Sequence, residues 1–166
     1  VILLTVGTQL PFDRLVRAID AIAPQFDIPF FAQIGEGGYQ PENMRWGATI
    51  PPSEFDGMMR DARLIVSHAG TGTFLTARRF AKPVVLFPRR AAFGEHRNDH
   101  QLATMSRLAD MPGVIGAMDE GDLASALQRG LDQDAPPVSV QSPQRDTFLH
   151  ALSDFMQTGK LTKATQ

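Results

Sequence analysis

The residues best suited to chemistry gather in two short stretches. The first, Ser67-His68-Ala69-Gly70-Thr71-Gly72-Thr73, follows an apolar run from Leu64 and leads into a helix-like segment. Glycines at 70 and 72 let an anion reach the backbone with no Cβ in the way. The first N–H groups of a helix have no partner inside it, so they suit a negative ligand. Thr71 and Thr73 add hydroxyl donors. In outline this is a phosphate or diphosphate cradle. It is not the Walker pattern, because no Lys follows the turn, and it is not GxGxxG. The plain alternative is a tight strand–helix turn with a capping Thr. His68 stands at the carboxyl end of the strand; alone, it would read as a hydrogen-bonded structural histidine.

The second stretch, Pro88 to Gln101, follows the next strand in sequence. It holds three Arg, two His, one Glu, one Asp, one Asn and one Gln. That density exceeds what a solvated loop requires, although a charged surface loop is the alternative. His96, His100 and Asp99 or Glu95 are metal-ligand types, but the two His lie four apart without the Glu of metalloproteases. Magnitudes favour several cations acting together. A helix N-terminus contributes only about 0.3–1 kcal/mol toward an anion when exposed, whereas a nucleoside diphosphate carries two or more negative charges. His68 with Arg89, Arg90 or Arg97 would stabilise such a group without a divalent metal. A further glycine turn, at Gly7-Thr8, closes the first strand and reads equally as a ligand contact or a plain turn. Gly35 to Gly38 reads as a flexible loop, the methionines as core filler, and Ser67 lacks a nucleophile-elbow context.

The elements that must position these residues alternate in type. Strands are expected at Val1–Val6, Pro29–Ile34, Trp46–Ile50, Leu64–Ser67, Pro83–Phe87 and Val114–Ala117. Helices are expected from Pro11–Asp13 to about Ala23, after a capping Ser53, over Phe74–Ala81, from about Asn98 to Ala109, and over Asp122–Leu131. The alternation argues for an α/β fold: a Rossmann-like parallel sheet with helices on both faces and ligands at the carboxyl ends of the strands. The expected division is a binding domain over 1–131, a Pro- and Asp-rich linker over 132–143, a helix over 144–158 that packs back on the domain, and a frayed tail over 159–166.

Composition sets bounds. The chain has 166 residues, enough for one domain with a core, and is 43% apolar. A formal charge of −2 argues against a general nucleic-acid binder. No cysteine is present, which excludes disulfides, thiolate metal sites and a cysteine nucleophile and suits the cytosol. No apolar run approaches the roughly 20 residues of a membrane span, and the first apolar run is too short for a signal-peptide core.

Three segments together, Ser67 to Thr73, Lys82 to Pro88 and Asn98 to Gln101, resemble the C-terminal half of GT-B glycosyltransferases of the MurG type, family 28. The stretch Thr5 to Leu15 narrows the resemblance to stand-alone donor-binding subunits of two-component enzymes, the PssE-like exopolysaccharide proteins. The catalytic subunit of the dolichol-linked GlcNAc transferase is a more distant relative. The resemblance implies a UDP-sugar donor. His68 and Gly70, Thr71, Gly72 and Thr73 would hold the diphosphate, with Arg89 and Arg90 as further contacts. Gly7, Thr8 and Ile50 would line the nucleotide side. Glu95, Asn98, His100 and Gln101 would face the donor sugar. Many relatives carry a ribose-binding Glu at the position of Thr76, so either ribose is held differently here or that role has moved to another residue.

The resemblance further implies an inverting, metal-independent transfer to a polyprenyl-diphosphate-linked acceptor, with no cofactor beyond the sugar nucleotide. A membrane-associated PssD-like partner would present the acceptor at the cytoplasmic face. His68, His96 or a partner residue would serve as base. The rival readings are a non-catalytic nucleotide-sugar sensor or scaffold of the same fold, and a single-domain nucleotide-sugar hydrolase or epimerase.

Overall fold

A computed structural model describes residues 1–134 and Pro136. The expected helix over 144–158, the tail over 159–166 and most of the linker lie outside the described residues.

Six short strands form one fully parallel sheet: β1 (Ile2–Thr5), β2 (Phe30–Gln33), β3 (Arg45–Gly47), β4 (Leu64–His68), β5 (Val84–Phe87) and β6 (Val114–Gly116). The spatial order is β3-β2-β1-β4-β5-β6, with β1 beside β4 at the centre. The chain winds outward in both directions from that pair, so a crevice opens beyond the carboxyl ends of β1 and β4. The register sets Thr5 beside Ser67 and His68 beside Phe87.

Strict alternation explains why the central strands are apolar throughout. Ile2, Leu4, Leu64, Val66, Val85 and Phe87 enter one core layer; Leu3, Ile65, Val84 and Leu86 enter the other. Helix α1 (Asp13–Ile22) seats Leu15, Val16 and Ile19 on the first layer, joined by Leu123, Ala126 and Leu127 of α5 (Leu123–Asp132). Helices α2 (Pro52–Asp61), α3 (Thr71–Arg79) and α4 (His100–Leu108) cover the second with Met59, Phe74, Ala77, Met105 and Leu108. Each fully buried Leu or Ile contributes about 1.5–3 kcal/mol by leaving water. The result is the three-layer Rossmann-like arrangement expected from the sequence.

Two of the boundaries that differ from the sequence expectation have plain physical reasons. Helix α2 starts at Pro52, with Pro51 before it and no side-chain cap; Ser53 lies inside the first turn. A prolyl ring presets the helical φ and needs no donor there. The third strand is Arg45–Gly47, one residue earlier and two shorter than read, because it is an edge strand with a largely exposed pattern. Among the described residues, no helix is long and apolar enough to cross a membrane.

Candidate active site

Two strand ends build the centre of the crevice. His68 closes β4, and the Gly70 amide turns back to donate to the His68 carbonyl at 2.7 Å. Helix α3 begins at Thr71, three residues before the position read from sequence, with Gly70 as its cap in extended backbone. Its first turn carries no acidic side chain, so the positive end of the helix faces the crevice uncompensated.

The imidazole of His68 is wedged between two glycines. A Cβ on Gly7 would lie 2.8 Å from its Cε1, and one on Gly70 would collide with Nε2. Gly70 is therefore required by the histidine itself. Gly72 is different: it is exposed, and among the described residues a Cβ there would meet nothing within 4 Å. Of the two glycines in the turn, Gly72 is the one with open space for a ligand. Ser67 Oγ lies 3.3 Å from His68 Nδ1, and the ring also hydrogen-bonds to the Thr5 backbone. Burial first, then the positive charge of Arg89, with a smaller push from His96, lowers the imidazole to about 4 against that hydrogen bond. His68 is neutral at pH 7.

The end of β1 is fixed by polar groups that the sequence reading did not single out. Thr5 Oγ1 donates to Gln33 Oε1 at 2.7 Å. Gln33 Nε2 donates to the carbonyls of Gly7 at 3.1 Å and Ala48 at 3.0 Å. Gln33 is buried with both ends of its amide satisfied, and it ties the ends of three neighbouring strands together. A Gln closing the otherwise apolar β2 was the available signal.

The 88–101 segment does converge on the same edge, but several of its side chains have other tasks. Arg89 is buried, with its guanidinium on the carbonyls of Val6, Leu10 and Pro11 at 3.0, 2.7 and 2.7 Å. Those donors are directed at the β1–α1 loop. Arg90 donates to the Met118 carbonyl at 2.7 Å and to Asp119 Oδ1 at 2.9 Å. The Glu95 carboxylate is gripped by Arg14 at Nε and Nη2, 2.6 and 2.9 Å away, and accepts the Arg90 N–H at 2.9 Å. Both of its carboxylate oxygens are thus held by protein donors. Arg14, unremarked in the sequence reading, also lies over the rings of Phe87 and Phe93, 4.3 and 5.0 Å from their centroids.

Other expected residues are placed as follows. His96 is half-buried close enough for its charge to be felt at His68, and its Nδ1 is buried without a partner. Gln101 is buried and accepts the Arg89 N–H through Oε1 at 2.9 Å. Asn98 Oδ1 accepts the His100 N–H at 3.3 Å, and the His100 side chain is exposed at the start of α4. Thr73 is buried and Thr8 exposed. Ile50 packs against the second core layer. Thr76 donates its hydroxyl to the Gly72 carbonyl at 3.0 Å. Asp99 accepts the Ala91 N–H, and among the described residues no three His, Asp or Glu side chains gather as a metal set.

Chemically, the edge offers a neutral imidazole held rigidly between two strands, a helix N-terminus beside an open glycine, and a buried cation behind the loop. Such a set is chemically suited to a multiply charged anion and to charge developing on it.

A family model described as the glycosyltransferase family 28 C-terminal domain matches residues 1–155. No curated protein sequence matches the chain significantly. Among solved structures, the glycosyltransferase SnogD from Streptomyces nogalater is similar at 25% identity and a TM-score of 0.50, over 79% of this chain and 34% of SnogD. MurG from Acinetobacter baumannii shares the fold at 21% identity and a TM-score of 0.56, over 76% of this chain and 40% of MurG. ALG13 shares it at 16% identity and a TM-score of 0.58, over 89% of this chain and 94% of ALG13. The chain thus spans about a third of SnogD but nearly all of ALG13.

Proposed function

Because the chain belongs to the glycosyltransferase family 28 C-terminal domain family, we propose that it is the donor-binding, catalytic subunit of a two-component inverting glycosyltransferase. The donor is a UDP-hexose. The acceptor is a polyprenyl-diphosphate-linked glycan of exopolysaccharide assembly, presented by a PssD-like partner at the cytoplasmic face of the membrane. The observation that carries this reading is the seat of His68 between Gly7 and Gly70, immediately before the positive end of α3.

In this reading the UDP diphosphate lies along Gly70 to Thr73, closest at Gly72, where no atom of the described residues lies within 4 Å of an added Cβ. The acceptor hydroxyl attacks the anomeric carbon from the face opposite UDP. The new C–O bond forms as the bond to the β-phosphate oxygen breaks, and the hydroxyl proton passes to a base. Negative charge then gathers on UDP, where the α3 N-terminus and the field of buried Arg89 oppose it. An imidazole lowered to about 4 is a weak proton acceptor at neutral pH. His68 is therefore assigned to holding the turn and the diphosphate. The proton goes to His96 or to a residue of the partner. Asn98, His100 and the free end of the Gln101 amide are the sugar-facing candidates.

Two measurements test the proposal. Calorimetric titration should show UDP binding in preference to GDP or CDP. Transfer should be weak with this chain alone and strong after co-expression with the acceptor-binding partner. Full activity of the isolated chain would sink the two-component reading. UDP binding with no transfer under any partner, unchanged in character by His96→Ala, would favour the sensor or scaffold.

A further inference from the structure

A single side chain joins the two loops of the crevice. Arg89 is 4% exposed. Its Nη2 donates to the carbonyls of Val6 and Leu10, and its Nη1 to that of Pro11, with a longer reach of 3.5 Å to the Glu95 carbonyl. Its guanidinium lies 4.4 Å from the centroid of the Phe12 ring, so the residue preceding α1 is held by the same group. Its own N–H is fixed by Gln101 Oε1 at 2.9 Å. The carbonyls at both ends of the β1–α1 loop thus turn toward one buried cation. Among the described residues, the amides of Thr8, Gln9 and Leu10 find no protein acceptor.

We infer that Arg89 is the positioning residue of the donor site: by collecting the carbonyls of Val6, Leu10 and Pro11 it fixes the β1–α1 loop beside His68 and leaves the amides of residues 8–10 for an anionic ligand. The inference rests on the donor-binding reading and assigns this arginine a role distinct from direct diphosphate contact. Planarity is essential to it. A guanidinium presents a fork of fixed donors, whereas an ammonium is a compact charge that cannot span the same carbonyls. The charge does a second thing: it is felt at His68 and helps keep that ring neutral.

The test separates the fork from the charge through Arg89→Lys and Arg89→Gln. Backbone NMR order parameters of Thr8–Leu10 should fall in both variants, from about 0.85 toward 0.6, while those of β4 and β5 stay unchanged. UDP affinity by calorimetry should weaken about tenfold or more in both, as expected for losing hydrogen bonds from a charged donor. The His68 titration, followed through its ring proton, should stay near the wild-type midpoint in the Lys variant and rise in the Gln variant. Rescue of loop order and UDP affinity by Lys would overturn the proposal. So would loss of order spread evenly over the sheet, since Arg89 would then hold the domain rather than the loop. If the wild-type chain binds no UDP, the donor reading fails, and the order parameters alone decide whether Arg89 holds the loop.

Discussion

Gly7 and His68 share a space that only a hydrogen atom can fill: a Cβ on the glycine would stand 2.8 Å from Cε1 of the imidazole. Gly7 also has φ +83°, where side chains are strained. The histidine's position is therefore set from the neighbouring strand as well as from its own.

Substitutions at the three site glycines should separate seat from cradle. Gly7→Ala and Gly70→Ala each displace the ring and should cost roughly 1–3 kcal/mol of stability, along with UDP affinity. Gly72→Ala meets no protein atom and sits in a helical first turn, so stability should hold or rise by up to about 1 kcal/mol, while UDP affinity falls. Urea unfolding and calorimetry of the three variants read the difference. Equal effects in all three would contradict the division.

The depressed value of His68 fixes a pH dependence. The ring takes up its proton more readily when unfolded, at about 6.5, than when folded, at about 4. Its contribution is therefore complete above the unfolded value and is lost as pH falls from about 6.5 through 4. The shift corresponds to roughly 3 kcal/mol. Urea midpoints between pH 7.5 and 4 should decline more steeply in the wild type than in His68→Gln. Parallel curves would show that the ring is not buried as described.

Glu95→Ala should behave as a structural lesion. It leaves Arg14 without its bidentate partner and the Arg90 N–H without an acceptor. Breaking a largely buried pair costs on the order of 2–4 kcal/mol. Donor-sugar preference should survive in the protein that still folds. A stable variant with altered sugar preference would instead support the donor-sugar role expected for Glu95.

Asp20 is buried under the 39–43 segment, accepting the Tyr39 hydroxyl at 2.9 Å and the amides of Glu42 and Asn43 at 3.0 and 2.7 Å. Burial pushes the carboxyl up, but these hydrogen bonds outweigh it and hold it below its ordinary value. Its stabilisation is present above the ordinary carboxylate value and lost as pH falls below it. Asp20→Asn should loosen the 39–43 segment, seen as faster hydrogen exchange there, with the β4 and β5 amides unaffected.

Much of the architecture was legible because burial on both faces forces continuous apolar strands: Ile2–Thr5, Leu64–His68 and Val84–Phe87 fall within or beside the runs read for them. Gly70 to Thr73 and His68 stand out as candidates in the sequence because glycines and a histidine meet at one strand end. The protein partners of the arginines were not legible for a simple reason. Residue type reveals a charge, but not whether it meets a ligand or a carbonyl, and Arg89 has three close loop carbonyls within reach. Gln33 and Arg14 escaped notice because their partners lie far along the chain, at Thr5 and Glu95.

The central pairing of β1 with β4 joins residues 2–5 to residues 64–67. On the ribosome, the first strand emerges with one flank open and stays so until some sixty further residues have been made. During that interval its apolar edge is a template for any passing chain. Nascent polypeptides halted before residue 64 should be bound by holdase chaperones, and release should follow once β4 clears the exit tunnel.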